Sequence, residues 1–216
     1  HDHLAAAVGD DPDASLLPRV AWIPAGRGQM DCHVITWDRA GLFGRIAGAF
    51  AVAGINILSC RAFSRSDHVA LDIFRVALPE DAEAARERFR ATLEDCFVRQ
   101  ADLRTRVLEE EARILRRAPV RKSGLGQDPV VRVYDAPELG RRVLELLVPD
   151  RLGLLFHIGS AIREAGYALT FANVATERGY AIDTFYLIPE PSIRLEPEDA
   201  TELERRIRDG LVSSKA

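Results

Sequence analysis

Two stretches of the chain, 112 residues apart, carry the same pattern of apolar and polar positions. The first is DRAGLFGRIAGAFAVAGINI, residues 38–57, and the second is DRLGLLFHIGSAIREAGYAL, residues 150–169. In each, apolar side chains recur at i, i+4, i+7, i+8 and i+11 from the leucine that follows Asp-Arg-x-Gly. This spacing predicts an amphipathic helix with one face against a sheet. The glycine of the closing Ala-Gly pair is typical of the left-handed residue that ends a helix.

Strand-like runs surround both predicted helices. The short apolar runs CHVIT, residues 32–36, and LELLV, residues 144–148, precede them and have the length and composition of strands. Two further strand-like runs and a second amphipathic helix follow each helix. The strand-like runs are 55–63, 68–78, 167–176 and 179–188, and the second helices are 80–97 and 196–212. Each copy therefore has the order β-α-β-β-α.

One more strand would complete a ferredoxin-like βαββαβ sheet in each copy, so we expect an α+β fold of two such modules in tandem. In the first copy, the missing strand is expected at residues 130–136. After the second copy only residues 211–216 remain, which are too few for a full strand. The second module is therefore expected to lack its last strand or to borrow an edge from its partner. The segment 19–24, bounded by prolines, could supply an extra edge strand.

These patterns divide the chain into three parts. Residues 1–28 are expected to be a linker or the tail of a preceding region, residues 29–136 the first module and residues 137–216 the second. A length of 216 residues fits one or two domains. The chain starts at His1 without a methionine, and we expect it to be a piece of a longer protein.

Composition narrows the class of protein. The longest apolar stretch, residues 42–58, is interrupted by Arg45 and Asn56, and a membrane span needs about 20 consecutive apolar residues. The first residues also lack the basic start and apolar core of a signal peptide. A net charge of −4 argues against nucleic-acid binding, which usually leaves a strongly basic footprint. We therefore expect a cytoplasmic protein that binds neither nucleic acid nor membrane.

The three cysteines are too widely separated for a disulfide framework or a CxxC motif, and we expect reduced, partly buried thiols. They are Cys32, Cys60 and Cys96.

The duplicated motifs resemble the ACT domain, a regulatory module that binds amino acids in many metabolic enzymes. They are the Asp-Arg-x-Gly-Leu turn, the helix end AGINI at residues 53–57, and the strand ALDIF at residues 70–74, repeated as AIDTF at residues 181–185. Over roughly residues 30–210, the pair resembles the C-terminal ACT domains of bacterial PII uridylyltransferase/uridylyl-removing enzymes, the glutamine sensors of nitrogen control. The resemblance implies a region that senses an amino acid, glutamine being favoured, and regulates catalytic domains absent from this chain. It also implies the PII signalling protein as a partner of the parent enzyme, and ACT–ACT pairing within or between chains.

The catalytic parts of that family are not found in the sequence. Nucleotidyl transfer needs Gly-Ser followed by a pair of aspartates that hold metal ions, and the only Asp-x-Asp is residues 11–13, in an apparent linker. The residues His1–His3 are better explained as a tag remnant or the tail of a helix than as a metal site. We expect no catalytic residue, metal site or cofactor in this chain, and the resemblance places magnesium in the absent catalytic domain of a nucleotidyltransferase.

The chemistry of an amino-acid ligand indicates where it could be held. The N-terminus of a helix offers free N–H groups to a carboxylate, and Gly41 lets the ligand approach the backbone. Asp38 could pair with an ammonium, and Asn56 could hydrogen-bond either group. The resemblance places such a site between the first turn of one module and the second strand of a neighbour, so both modules could line one pocket. The candidate ligand-binding residues are Asp38, Arg39, Ala40, Gly41, Leu42, Asn56, Ile57, Asp150, Gly153 and Leu154.

Structural explanations compete at most of these positions. Asp38 and Asp150 are typical helix caps, the two turn glycines could serve only the turn, and the leucines belong to the core. The two arginines that follow the aspartates could be solvated or paired on the surface. Asp72 and Asp183 would need no partner on an open sheet face but would need one in an interface. The histidines have no spacing for metal or acid–base work and are interpreted as structural; they are His33, His68 and His157.

Asn56 distinguishes the two copies, because its counterpart is Ala168. We therefore expect unequal sites, the stronger one built on the first turn and Asn56. Loss of affinity on Asn56→Ala would test this expectation.

Two other function classes remain as alternatives. The first is a ligand-free pairing module that holds domains or subunits together through sheet edges. The second is an acylphosphatase-like hydrolase, which the acidic Asp38 beside the presumed phosphate cradle disfavours. RNA recognition on this topology needs aromatic side chains on the central strands and a basic face, and Phe74 and Phe185 at net charge −4 do not suffice.

Overall fold

The computed structural model describes residues 17–65, 68–117, 129–190 and 198–213. The segments 1–16, 66–67, 118–128, 191–197 and 214–216 lie outside the described residues; His1–His3 and Asp11–Asp13 are among them. Eight strands form one antiparallel sheet in the order β1-β2-β4-β3-β7-β8-β6-β5. The strands are β1 (Arg19–Gly26), β2 (Gln29–Trp37), β3 (Asn56–Ser64), β4 (Val69–Ala77), β5 (Val130–Ala136), β6 (Arg141–Pro149), β7 (Tyr167–Glu177) and β8 (Tyr180–Pro189).

Five helices are described, and the repeated segments form two of them as the periodicity predicts. The helices are α1 (Leu42–Val52), α2 (Ala82–Phe97), α3 (Arg104–Arg117), α4 (Leu154–Glu164) and α5 (Glu198–Ser213). Gly54 and Gly166, which follow α1 and α4, have φ of 71° and 79°. This left-handed conformation is the helix end that the Ala-Gly pairs predicted.

Each repeated segment builds a ferredoxin-like module of four strands, which confirms the expected α+β fold of two modules in tandem. Strands β1 to β4 with α1 and α2 form the first module, and strands β5 to β8 with α4 and α5 form the second. The segment 19–24 lies within β1 and is an edge strand, as its prolines indicated.

Strand β5 corrects the expectation for residues 130–136. It pairs with β6 of the second module along its whole length, from Val130 opposite Leu147 to Ala136 opposite Arg141. The expectation that this strand completes the first sheet, and that the second lacks a strand, was wrong. The physical reason is local: a short turn ending at Gly140 folds β5 directly back on β6, and β1 already covers the edge of β2.

The two modules join through strands and helices. Strands β3 and β7 pair antiparallel, with Ser59 opposite Ala175 and Phe63 opposite Phe171. On one face of the sheet, α1 and α4 pack closely at Gly44 and Gly159, where a β-carbon on Gly159 would lie 2.7 Å from the Cα of Gly44. The modules therefore share one sheet and one helix layer, and residues of both meet along the seam.

The core lies between the sheet and the helices, and aromatic rings fill its centre. Phe50 stacks on Phe89 at 4.2 Å and tilts against Phe74 at 5.0 Å, while Phe43 meets Phe185 of the other module at 5.8 Å. All three cysteines are free and buried, as expected. Burial raises the pKa of the Cys96 thiol to about 11, so the thiolate is disfavoured at neutral pH.

Candidate functional site

The first turn of each module ends in a left-handed glycine that opens the following helix. Gly41 has φ 72° and Gly153 has φ 78°, and neither helix has a side-chain cap. The prediction that Asp38 and Asp150 cap these helices was therefore wrong. Asp38 is held by its own N–H, which donates to the carbonyl of His68 at 2.7 Å. Two residues separate each aspartate from its glycine, so the helix begins beyond the reach of a cap.

The first turn exposes several backbone donors. The N–H groups of Gly41, Phe43 and Gly44 donate to no backbone oxygen among the described residues. They point out of the N-terminal end of α1, where the helix dipole concentrates partial positive charge. This end of the helix can therefore receive a carboxylate.

A cavity of about 320 Å³ adjoins these donors. Its walls come from both modules: residues 38–44 of the first turn, residues 167–170 at the start of β7, and residues 188–190 at the end of β8. The volume lies at the lower end of the 300–1,000 Å³ that is typical of small-molecule sites. We call this space the open cavity; it can hold a ligand of the size of an amino acid.

One cation stands over the first turn. The side chain of Arg163, in the last turn of α4, lies over Gly41 in the space that a β-carbon there would need. Arg163 is exposed and lines the open cavity, and it makes no ion pair or hydrogen bond with the described part of the chain. Its guanidinium is available to an anion that approaches the free N–H groups of α1.

Acidic groups line other parts of the open cavity. They are Asp38, Asp72 and Glu190. Asp72 is 3% exposed, and its pKa is raised to about 7, mainly by burial and in smaller part by the nearby charge of Asp38. A cationic group in the cavity would favour the ionised form of Asp72. The cavity thus combines an anion-binding end with acidic groups that suit an ammonium.

The second turn has the same backbone but a different surrounding. The cavity beside it has a volume of about 20 Å³, roughly enough for one water molecule. Asp150 accepts a hydrogen bond from the hydroxyl of Thr176 at 2.9 Å, and burial raises the pKa of Asp150. Glu111 of α3 lies over Gly153 and accepts from Arg151. A side chain of the protein therefore covers the second turn.

The structure divides the predicted site residues between these two places. One group lines the open cavity, namely Asp38, Arg39, Ala40, Gly41 and Leu42. The other group lines the small cavity at the second turn, namely Asn56, Ile57, Asp150, Gly153 and Leu154.

The grouping of Asn56 with Asp38 and Gly41 is therefore wrong. The antiparallel pairing of β3 with β7 places the start of β3 beside the turn of the second module and the start of β7 beside the turn of the first module. These are the strands that follow α1 and α4, the second strands of the repeated β-α-β-β-α pattern. Ala168, the counterpart of Asn56, lines the open cavity instead. A site that combines the first turn of one module with the second strand of the other is the arrangement that the resemblance implies.

The structural explanations for the arginines and for His157 agree with their contacts. Arg151 and His157 both contact the Glu111 carboxylate, at 2.9 Å each, so Arg151 is paired and His157 has a structural role beside it. Arg39 is half-buried, and its guanidinium lies 5.0 Å from the centre of the Phe97 ring. Sequence reasoning missed Arg163 and Glu111, and it did not place Asp72 or Glu190 in the site, because nothing in a single sequence tells which module's turn these residues approach.

Asp183, the counterpart of Asp72, is the other buried carboxyl group. It is 1% exposed, lines the small cavity, and makes no hydrogen bond of normal geometry within the described residues. Burial raises its pKa to about 8. It lies on the helix-covered face of the sheet, and not on an open face where it would need no partner.

No group of three or more His, Cys, Asp or Glu side chains is close enough together to hold a metal ion in the described part of the chain. Among the described helices, none has the length and apolar character that crossing a membrane requires.

The chain is similar in sequence to several bacterial proteins named bifunctional uridylyltransferase/uridylyl-removing enzyme. The protein of Rhodospirillum rubrum is 31% identical over 180 residues, which is 81% of this chain and 19% of that protein. The protein of Novosphingobium aromaticivorans is 32% identical over 77% of this chain and 18% of its own length. That of Gluconobacter oxydans is 28% identical over 87% and 20%. The chain thus spans about a fifth of the length of these relatives.

No family model matches the chain. Among solved structures, the aspartate kinase from Synechocystis aligns with 87% of this chain and 27% of its own, with a TM-score of 0.46 and 15% sequence identity.

Proposed function

We propose that this chain is the amino-acid-sensing, ACT-type regulatory region of a longer bifunctional uridylyltransferase/uridylyl-removing enzyme, with glutamine as the ligand. One observation carries the proposal: the open cavity joins unpaired helix N–H groups and Arg163 at one end to acidic side chains elsewhere in its wall. An α-amino acid carries both a carboxylate and an ammonium, and it therefore needs an anion-binding and a cation-binding group in one cavity. The similarity to the named relatives supports the choice of parent enzyme.

The charges in the open cavity determine where the two charged groups of the ligand bind. The ligand carboxylate binds at the N-terminus of α1, where the N–H groups and the guanidinium of Arg163 act together. The ammonium binds among Asp38, Asp72 and Glu190. Binding then connects the first turn to the start of β7 and to α4, so the ligand links the two modules. That link is the signal that the chain passes to the rest of the enzyme.

The longer enzyme supplies what this region does not. It transfers and removes uridylyl groups on the PII signalling protein in the cytoplasm, and magnesium serves in its nucleotidyltransferase domain. We propose glutamine, and not another amino acid, on the basis of the family resemblance. The lining of the open cavity does not by itself identify the side chain of the ligand.

A titration calorimetry experiment tests the proposal. L-glutamine, L-glutamate and L-asparagine are titrated into the purified chain, and glutamine is expected to bind at one site per chain with the highest affinity. A different preferred amino acid would keep the sensor and change the ligand. No heat and no thermal shift with a panel of the common amino acids would contradict the sensor.

That negative result would favour the second candidate, a ligand-free pairing module. The hydrogen bonds between β3 and β7 favour it, because they join the two modules through the edges of their sheets. The pairing module needs no cation over the first turn, whereas the sensor needs Arg163.

A further inference from the structure

The second turn holds a carboxylate that belongs to the protein itself. Oε1 of Glu111 lies 2.9 Å from Nη1 of Arg151 and 2.9 Å from Nε2 of His157. The same oxygen occupies the space over Gly153 that a β-carbon there would need. Glu111 is 8% exposed, so this carboxylate is held inside the protein and away from solvent.

The position corresponds to the one proposed for the ligand carboxylate in the open cavity. Gly153 begins α4 as Gly41 begins α1, and the N–H groups of Gly153, Leu155 and Phe156 donate to no backbone oxygen among the described residues. A helix N-terminus with free N–H groups attracts an anion. At the first turn the group above the glycine is a cation, Arg163, whereas at the second turn it is an anion.

A second observation shows that the second turn keeps other features of a binding site. Asp183 is almost fully buried without a normal hydrogen bond, and it lines the small cavity beside the turn together with Asn56. Asp183 is the counterpart of Asp72 in the open cavity. A buried acid without a partner is costly for the fold, and a ligand ammonium is the kind of group that would satisfy it.

The helix that provides Glu111 is not part of either repeat. Helix α3 connects the modules and is held at its start by Val107, which is fully buried, and by the ion pair of Arg104 with Glu164 at 2.7 Å. Arg106 pairs with Asp95 of α2 at 2.8 Å. Glu111 lies one turn beyond Val107, so the docked helix brings its carboxylate to the second turn.

We propose that the second turn is a second carboxylate-binding site, and that α3 occupies it with Glu111 as a built-in competitor of free ligand. The nature of the free ligand, an amino acid, rests on the proposed function, whereas the carboxylate site itself does not. The chain therefore has one open site and one that its own helix fills. A ligand that enters the second site displaces Glu111 and releases α3 from the second module, which makes α3 the element that reports occupancy.

Removal of the Glu111 side chain tests the site independently of glutamine. In Glu111→Ala, Arg151 and His157 lose their carboxylate, and sodium acetate at about 100 mM should raise the melting temperature above that in equal sodium chloride by about 2–4 °C. Neither the unchanged protein nor Glu109→Ala, an exposed control on the same helix, should show this difference. Glu111→Gln serves in the same assay if the alanine variant does not fold. Equal melting temperatures in acetate and chloride would overturn the proposal.

Calorimetric stoichiometry with L-glutamine then separates this proposal from the proposed function. One site in the unchanged protein and two in Glu111→Ala support both. One site in each form overturns the second amino-acid site and leaves the sensor intact. If glutamine binds neither form, the sensor fails, and a positive acetate result still supports a carboxylate site that α3 fills.

Discussion

The side chain of Arg163, from the second module, lies directly over Gly41 in the first turn of the first module. This contact joins the two repeats at the open cavity, and it has no counterpart at the second turn, where the residue equivalent to Arg163 is Ala51 on the wall of the small cavity. The two copies have the same backbone at these turns, and the charged side chains near each turn make their electrostatic surroundings different.

Arg163→Met should weaken amino-acid binding about 10- to 100-fold, because a hydrogen bond to a charged group contributes about 1.5–3 kcal/mol. The melting temperature should change little, since Arg163 is exposed and unpaired within the described residues. Titration calorimetry measures the affinity. Arg90→Met, on the far helix α2, is the control for loss of an arginine and should bind normally. Unchanged affinity in Arg163→Met would exclude the guanidinium as the carboxylate anchor.

Asn56→Ala should leave the affinity of the open cavity unchanged, because Asn56 lines the small cavity at the other turn. Ala168→Leu should lower that affinity at least 10-fold, since its side chain would occupy part of a cavity of about 320 Å³. The same titration with both variants compares the two positions. A loss of affinity in Asn56→Ala alone would restore the grouping of Asn56 with the first turn that the sequence had favoured.

The helices, the strands and the glycines at the helix ends were predictable because they depend on local spacing. Apolar residues at helical intervals and the Ala-Gly pairs specify α1 and α4 within each segment, without knowledge of the other segment. The alignment of ALDIF with AIDTF identified β4 and β8 as equivalent strands and Asp72 and Asp183 as equivalent positions. These inferences needed only the repeat.

The site was less predictable because its walls come from residues far apart in sequence. Asn56 and Asp38 are close along the chain, yet the pairing of β3 with β7 places them in different cavities. Glu111 belongs to a strongly charged helix, and its sequence is like that of any solvent-exposed helix. Its role depends on where α3 docks, and no local pattern encodes that position.

Gly153→Ala should destabilise the protein more than a left-handed alanine does elsewhere. An alanine with φ near 78° costs about 1–2 kcal/mol by itself, and here its β-carbon would also collide with the Glu111 carboxylate. Gly26→Ala is the matched control, because Gly26 has φ 79° and no atom within 4 Å of its β-carbon position. Urea unfolding of both variants gives the difference, expected to be about 1.5–3 kcal/mol from the disrupted hydrogen bonds of the Glu111 carboxylate. Equal losses would mean that Glu111 is held only loosely over the turn.

Gly159→Ala should weaken the contact between the two modules. Its β-carbon would lie 2.7 Å from the Cα and 3.0 Å from the nitrogen of Gly44, so the backbones of α1 and α4 would have to separate. Overpacking of this kind costs about 1–3 kcal/mol, although alanine favours an isolated helix. Ser160→Ala, the next position on α4, should be nearly neutral. A Gly159→Ala variant as stable as the parent in urea would show that the helices can part without cost.

Asp183→Asn should stabilise the protein at pH 8 and have little effect near pH 4. Burial, with a further contribution from Asp150, raises the folded-state pKa of Asp183 to about 8 from an ordinary value of 3.8. Between these values the folded state binds more protons than the unfolded chain, so the free energy of unfolding falls as the pH rises, by up to about 1.4 kcal/mol per pH unit. Asparagine cannot ionise and removes this loss.

Asp31 is the control for the pH dependence, because its pKa is lowered in the folded protein whereas that of Asp183 is raised. Arg75 donates two hydrogen bonds to Asp31, at 2.8 and 2.9 Å, and lowers the pKa of that carboxyl. Asp31→Asn should therefore cost stability at neutral pH, and the cost should disappear as the pH falls through the pKa of Asp31. Urea unfolding at intervals from about pH 2.5 to pH 8.5 measures both variants against the parent, so that the series extends below the ordinary pKa of 3.8 for Asp31. If the stability difference between Asp183→Asn and the parent stays constant across this range, Asp183 does not titrate within it, and the prediction is wrong.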